Sequence, residues 1–330
     1  MSKGMRKIRR RRRNYTNYII IACICVFSVM GIGYGYLQES LDINMGLSKK
    51  VIDITDNVVT SGDGLYEDKY EDGRYIYRGS KPNNYIKFNN ELWRIIAKES
   101  DGTYKIVKNE WLPKRSFDAA NHRLTTNNTY CNTPSLRCNV YGKVSGTYTL
   151  GNISGTVTED SSLAEYLNGE YYNSLTPIAK GQIQTHAFNI GGVLDLEVDG
   201  NDSIAKNLQQ EKAYPWTGNI GLPNVTDILR ASLNPSCTSA TDVYGPSNAN
   251  KCTTNYLTDN LTTSYDFYLL INGYTDVRYV WRVSYYNNML YLYTATASYS
   301  MDYVLPVLFL KSNIHIISGD GSETNPYIIG

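Results

Sequence analysis

The sequence has few of the residues and motifs on which most enzymes depend. The chain of 330 residues contains only three histidines, His122, His186 and His315, and their spacing forms no H-E-x-x-H metal site. It also lacks a G-x-S-x-G nucleophile elbow, a P-loop and a G-x-G-x-x-G dinucleotide motif. The sequence therefore predicts no metal site and no cofactor, and we assign a catalytic role to no residue.

Acidic residues are missing from the N-terminal end of the chain, where the first is Glu39. The first 13 residues carry eight basic side chains, so the near-neutral net charge of +1 is a sum of two unlike parts. The rest of the chain has 24 basic and 31 acidic residues, a net charge of −7. An acidic body argues against nucleic-acid binding, which needs a basic surface.

Charge is also absent from residues 18–37, an apolar run of the length that a bilayer core requires. The positive-inside rule predicts a cytoplasmic N-terminus and an exported body, with the bilayer as partner of residues 18–37. The topology signal is the run Arg9, Arg10, Arg11, Arg12 and Arg13. We favour an uncleaved signal-anchor helix in the cell membrane. Cleavage after the small residues Gly33 or Gly35 is the alternative.

The predicted exterior contains four cysteines and no C-x2-C pair, which argues against a zinc site. An oxidising exterior favours disulfides, and four cysteines allow three connectivities. Short spacing favours two local pairs. These are Cys131 with Cys138, and Cys237 with Cys252.

The pattern along the chain predicts an α+β fold of antiparallel strands with two short helices, besides the N-terminal transmembrane helix. Residues 1–17 are a basic cytoplasmic tail, 38–72 a stalk and solvated acidic linker, and 73–330 the extracellular domain. Ser161 or Ser162 begins the first predicted helix, which Pro177 ends, and Thr226 caps the second. Trp93, Ile95 and Ile96 are expected to pack inward in a strand meander.

Tyrosine is concentrated near the C-terminus, where residues 265–303 contain ten of the 30 in the chain. Asn287-Asn288 can form a two-residue hairpin turn that pairs Tyr286 with Met289. One hairpin face is then apolar and faces the core. The opposite face is polar and aromatic, which suits a ligand surface. The candidate ligand-binding residues are five on this face and Tyr299 beyond it: Arg282, Ser284, Tyr286, Tyr291, Tyr293 and Tyr299.

Four segments of the body resemble one family. They are GSKPNNYIKFNNELWRIIAKESDGTYKIV (79–107), EYLNGEYYNSLTPIAKGQI (165–183), GNIGLPNVTDILRASLNPSC (218–237) and VLPVLFLKSNIHIISGDGSETNPYII (304–329). In this order they resemble N-terminally anchored surface proteins of Gram-positive gut bacteria of the Firmicutes type, whose shared domain has no assigned function. The resemblance implies a surface location and one exported domain, but no activity.

The C-terminal part also resembles C-type-lectin-like domains, including those related to formylglycine-generating enzyme. Such domains often have an Arg-Pro pair before the last strand, where this sequence has Leu305-Pro306, and no catalytic cysteine of those enzymes can be matched. The Tyr-, Asn- and Ser-rich segment resembles targets of diversity-generating retroelements, which implies a variable ligand surface.

We therefore expect a membrane-anchored surface protein that binds an unknown glycan or protein through the tyrosine-rich hairpin. The sequence leaves two alternatives open. One is a surface enzyme acting on glycan or cell-wall material, and two carboxylates facing each other across a cleft would support it. The other is a structural envelope protein that self-associates through its tyrosines.

Overall fold

The computed structural model describes most of the chain that follows residue 50. The described residues are 51–119, 122–123, 138–194, 203–239, 252, 255–258, 261, 266–286, 289–298 and 302–330. The predicted cytoplasmic tail and the segment 18–37 lie outside them, as do Cys131, Tyr299 and the turn residues Asn287 and Asn288. Among the described residues, helices are too short or too polar to cross a bilayer.

Strands dominate the described chain, and they are short. The first ten are β1 (Gly64–Glu67), β2 (Tyr75–Arg78), β3 (Tyr85–Phe88), β4 (Glu91–Lys98), β5 (Tyr104–Lys108), β6 (Leu112–Arg115), β7 (Thr147–Leu150), β8 (Ile153–Thr156), β9 (Ile183–Gln184) and β10 (His186–Asn189). The others are β11 (Pro215–Gly218), β12 (Ile220–Gly221), β13 (Asp266–Gly273), β14 (Tyr279–Tyr286), β15 (Met289–Thr296), β16 (Asp302–Val304), β17 (Val307–Leu310), β18 (Ile316–Ser318) and β19 (Tyr327–Ile329). Separate short helices beside mostly antiparallel sheets confirm the α+β class, although β19 pairs parallel with β3 and β16 with β13.

The larger sheet has the order β12-β17-β5-β4-β3-β19-β18 and joins the two ends of the described chain. β3, β4 and β5 pair antiparallel, as the sequence predicts. β2 does not continue that meander, because it pairs with the C-terminal half of β4 beyond the end of the shorter β3. Trp93, Ile95 and Ile96 are buried as predicted. The neighbours Trp93 and Arg94 are regularly paired and so point to opposite faces, and both are buried, which shows that this part of the strand is covered on both sides.

The turn between β3 and β4 is the dipeptide Asn89-Asn90. Both residues have positive φ, 52° and 61°. Positive φ at both positions is the signature of a type I′ hairpin turn, which asparagine tolerates better than most residues do. The local sequence therefore fixes this turn.

The smaller sheet has the order β15-β14-β13-β16-β6. β13, β14 and β15 are long antiparallel strands, whereas β16 runs parallel to β13 and pairs with β6. Among the described strands, β15 is therefore the edge of this sheet. From Asp266 onward the described chain consists largely of strands, β13 to β19.

Helices are more numerous than the two that the sequence predicts. The helical segments are Ile54–Asn57, Ser162–Tyr166, the π-helical turn Leu167–Tyr171, Tyr172–Ser174, Pro177–Gln182, Ser203–Lys212 and Val225–Arg230. The first predicted helix is present, and the Ser161 hydroxyl accepts a hydrogen bond from the Ala164 N–H at 3.1 Å. Pro177 does not only end that helix. It opens the next one, because its fixed φ and missing N–H suit a first helical position.

The second predicted helix begins earlier than expected. Asn224 is its N-cap, and its N–H donates to the Asp227 carboxylate at 2.9 Å. Thr226, the predicted cap, instead donates its backbone N–H and its hydroxyl to Glu211. The prediction of Thr226 as the helix cap was therefore wrong, because its hydroxyl donates to Glu211 on another helix and not to its own helix.

Residues from Ile52 to Gly330 form one compact unit. Ile52 bridges to Ile316, and β1 pairs with β2. Asp68 and Glu71, which the sequence places in a solvated linker, instead form ion pairs with the buried Arg74 and Arg230. The linker interpretation is wrong for these two residues, because nearby arginines compensate the cost of burying their charges.

A disulfide joins Cys237 and Cys252, whose Cα atoms are 5.1 Å apart, as the sequence predicts. Cys138 is disulfide-bonded as well. Cys131, its predicted partner, lies outside the described residues, so that pairing stays a prediction.

Candidate functional site

The tyrosine-rich hairpin has the predicted register. Tyr286 pairs with Met289, Ser284 with the residue at position 291, and Arg282 with Tyr293. Directly paired residues share a sheet face, so one side of the ribbon carries the predicted ligand positions. A slip of one residue would have exchanged the two faces.

The opposite side of the hairpin packs into the core. Trp281, Val283 and Leu292 are all buried. The Trp281 indole N–H donates to the Val193 carbonyl at 3.2 Å, and its ring contacts Tyr274 edge-on. These three residues anchor the ribbon on the domain.

Among the side chains that the structure describes, the predicted ligand face has one exposed side chain, Tyr293, and one buried side chain, Ser284. Tyr293 is 50% exposed, which makes it one of the few large apolar side chains on the described surface. Ser284 is only 9% exposed, so it offers little surface to a partner. Tyr286 and Tyr291 occupy register positions on the same side; their side chains are not among the described ones, and Tyr299 lies outside the described residues altogether.

Arg282 links the exposed tyrosine to a buried acid. Its Nη1 donates to Asp302 Oδ1 at 3.2 Å, and its guanidinium carbon lies 5.8 Å from the centre of the Tyr293 ring. Asp302 is 1% exposed, and its Oδ2 accepts no hydrogen bond from the described residues. Burial raises the pKa of Asp302 to about 6, although Arg282 pulls it down. The hydrogen bond to the buried Asp302 thus holds Arg282 in place, while the guanidinium lies next to the Tyr293 ring.

A second group of cations and aromatic rings lies at the β6 edge of the same sheet. The Trp111 and Tyr303 rings are 4.7 Å apart, and the Lys114 ammonium lies 4.6 Å from the Tyr303 ring. Tyr303 follows Asp302 in β16, so the two side chains point to opposite faces. Trp111 and Lys114 are not among the residues predicted from the sequence, although the run WLPKR at 111–115 places an aromatic ring and two cations close together.

A buried ion network lies in the other part of the domain. Arg74 pairs with Asp68 at 2.5 Å and with Glu99 at 2.8 Å, and Arg230 pairs with Asp68 at 2.7 Å. Lys105 Nζ lies 2.6 Å from Asp227 Oδ2. Asp68 and Arg74 are close in sequence, but their other partners come from distant parts of the chain, so no local motif predicts the network.

This network lines a cavity of about 220 Å³, which we name the polar cavity. Its charged and amide lining residues are Glu71, Arg74, Glu99, Lys105, Asn189, Glu211, Lys212, Asn224 and Arg230. His186, Phe188 and Phe309 form an aromatic part of the wall. His186 stacks on Phe309 with ring centres 3.9 Å apart, and its Nε2 lies 3.2 Å from Asp101 Oδ2.

The carboxyl groups of the polar cavity differ widely in basicity. Burial would raise the pKa of Glu71, but Arg230, Arg74 and Lys212 outweigh it and hold the pKa at about 2. Burial raises the pKa of Glu211 to about 7, although the two hydrogen bonds from Thr226 oppose the change. Asp227, equally buried, has its pKa held below the usual value by Lys105, Arg230 and Arg74.

These carboxyl groups are poorly arranged for acid–base hydrolysis. A carboxylate with a pKa near 2 is a weak general base at neutral pH. Glu211 titrates in a suitable range, but both of its oxygens already accept hydrogen bonds from Thr226. The geometry therefore favours binding over catalysis in the polar cavity.

The other two histidines have local partners or face solvent. His122 lies between Asp118 and Glu165, with 2.9 Å contacts on both ring nitrogens. His315 is exposed. Within the described ranges, His, Cys, Asp and Glu form no cluster of three that could hold a metal ion.

Comparison of the chain with protein families, with curated proteins and with solved structures gives no match.

Proposed function

We propose that this protein is a membrane-anchored cell-surface protein that binds a glycan or protein ligand, or adheres to it, through the outward face of the β14–β15 hairpin. The observation that carries the proposal is the cross-strand pair of Arg282 and Tyr293. A half-exposed aromatic ring next to a guanidinium gives a rigid contact surface with a directed charge. The Asp302 carboxylate fixes the arginine, so little side-chain entropy is lost when a ligand binds.

Two further features support the surface location. The uncharged run 18–37 follows the arginine run, which is the pattern of a signal anchor. The Cys237–Cys252 disulfide is typical of an oxidising exterior. We extend the proposal to membership of the anchored surface-protein family, which the four sequence segments resemble. We extend it also to a C-type-lectin-like arrangement, because the three-stranded meander β13–β14–β15 carries the aromatic segment near the C-terminus.

The test is a binding screen of the full chain on glycan and host-protein arrays. The triple variant Tyr286→Ala, Tyr291→Ala, Tyr293→Ala should lose binding while its circular dichroism spectrum stays that of the parent. Ile178→Ala is the matched control, because Ile178 is 77% exposed and lies on a helix away from the hairpin. Unchanged binding by the triple variant would refute the site.

The same variant separates adhesion from self-association. Sedimentation of the parent at rising concentration measures oligomer formation directly. Oligomers that form in the parent and disappear in the triple variant, with no ligand found on the arrays, would favour the structural envelope role instead.

A further inference from the structure

The polar cavity contains buried hydrogen-bond donors that the described protein does not use. Arg74 is buried, and its Nε and Nη1 donate to Glu99 and Asp68. Its Nη2 makes no hydrogen bond with the described residues, since Asp227 Oδ1 lies 3.9 Å away. Lys105 Nζ donates to Asp227 and Asn224, which uses two of its three hydrogens. Asp227 Oδ1 is itself buried and accepts no hydrogen bond from the described residues. The spare hydrogens of Arg74 and Lys105 line the polar cavity, so an acceptor group of a ligand placed there can pair with them.

Acceptors line the same space. Glu99 receives its described hydrogen bond from Arg74 through Oε2 alone, which leaves Oε1 available to a hydroxyl group of a ligand. At the rim, Lys212 is 46% exposed and lies 2.6 Å from Glu71. The polar cavity therefore offers both positive donors and negative acceptors within one small volume.

The charge balance restricts the ligand. The four cations of the lining are opposed by Glu71, Glu99 and Glu211 and, behind the wall, by Asp68 and Asp227. The cluster therefore has no excess of positive charge, so it suits at most one negative group with directed partners and not a polyanion such as a nucleotide triphosphate.

Size and wall chemistry restrict it further. A cavity of about 220 Å³ is smaller than the roughly 300–1,000 Å³ that drug-sized ligands occupy. The stacked His186 and Phe309 rings give the wall an aromatic part, against which the C–H face of a sugar ring can pack.

We infer that the polar cavity binds a small polyhydroxylated carboxylate of the acidic monosaccharide class. The carboxylate accepts from the spare donors of Arg74 and Lys105 and is attracted by Lys212 at the rim. Its hydroxyl groups donate to Glu99, and its ring packs on His186. This inference is independent of the hairpin, since the polar cavity and the hairpin face share no residue.

The probe is D-glucuronate, titrated calorimetrically to about 10 mM into the full chain, with D-glucose and L-glutamate as comparison ligands. We expect glucuronate to bind at least about tenfold more tightly than glucose, the value of one charge-assisted hydrogen bond. Lys212→Gln should weaken glucuronate by about tenfold and leave the weak binding of glucose unchanged. His186→Ala should weaken both sugars.

Lys206→Gln is the matched control, because Lys206 is exposed on the same helix but does not line the polar cavity. It should bind glucuronate as the parent does, and so should Tyr293→Ala. Absence of glucuronate binding, equal affinity for glucose, tighter binding of glutamate, or an unaffected Lys212→Gln variant would each overturn the inference. None of these results would bear on the hairpin, which the array screen tests separately.

Discussion

Two hairpins of this protein are built on one plan and differ in burial. β3–β4 and β14–β15 are both joined by an Asn-Asn dipeptide, and each carries a cross-strand pair of arginine and tyrosine. In the first, Arg94 lies 4.3 Å from the Tyr85 ring and 4.7 Å from the Tyr256 ring, and it is only 4% exposed. In the second, Tyr293 is half exposed and Arg282 lies beside it.

The difference comes from what each hairpin has as neighbours. β3 and β4 lie inside the larger sheet, with β19 on one side and β5 on the other. In the part of the chain that the structure describes, β15 is the edge of the smaller sheet. The same residue pair therefore serves packing in one place and is available to a partner in the other, and burial, not residue type, separates the two roles.

The largest expected effect comes from truncating one aromatic side chain in each hairpin, the buried Trp93 and the exposed Tyr293. Trp93→Ala should lower the free energy of unfolding by about 3–5 kcal/mol, because the ring is fully buried against Phe88. Tyr293→Ala should change it by no more than about 0.5 kcal/mol, as is usual for an exposed side chain. Urea unfolding of the full chain measures both, and similar losses would contradict the comparison.

The register of both hairpins could be predicted from the sequence, because alternation and a short Asn-Asn turn are local signals. The burial of Arg94 could not, since it depends on Tyr256, 162 residues further along the chain, whose ring and carbonyl contact the guanidinium. The ion network is equally non-local, as Asp68 and Arg230 are 162 residues apart. The helix Ser203–Lys212 was missed because Glu211 occupies a core-facing position that an apolar pattern would reserve for a hydrophobic residue.

A smaller effect concerns the acid beneath the second hairpin. The folded-state pKa of Asp302, about 6, lies above the ordinary 3.8. The stability that the protonated Asp302 side chain contributes is therefore fully present below about pH 4 and is lost as the pH rises through 6. Asn resembles the protonated acid, so Asp302→Asn should match the parent near pH 4 and exceed it by about 2 kcal/mol at pH 7.

Urea unfolding across this pH range measures the difference between the two proteins. Trp93→Ala removes no ionisable group, so its cost should be the same at both ends of the range. A pH-independent difference between Asp302→Asn and the parent would show that the carboxylate beneath Arg282 carries no such penalty.

The smallest expected effect lies in the turns. Asn90 is exposed and has a φ of 61°, a conformation that alanine adopts at a cost of about 1 kcal/mol and glycine without penalty. Asn90→Ala should therefore destabilise the whole domain by about 1 kcal/mol, because β3–β4 lies within the larger sheet, whereas Asn90→Gly should not.

Asn288→Ala changes the corresponding position next to an edge strand, where local opening need not unfold the rest. It should speed amide hydrogen exchange in β15 and leave the global unfolding free energy nearly unchanged. If Asn288→Ala instead costs as much as Asn90→Ala in urea, the second hairpin is as integral to the domain as the first, and its role as a separable binding element loses its basis.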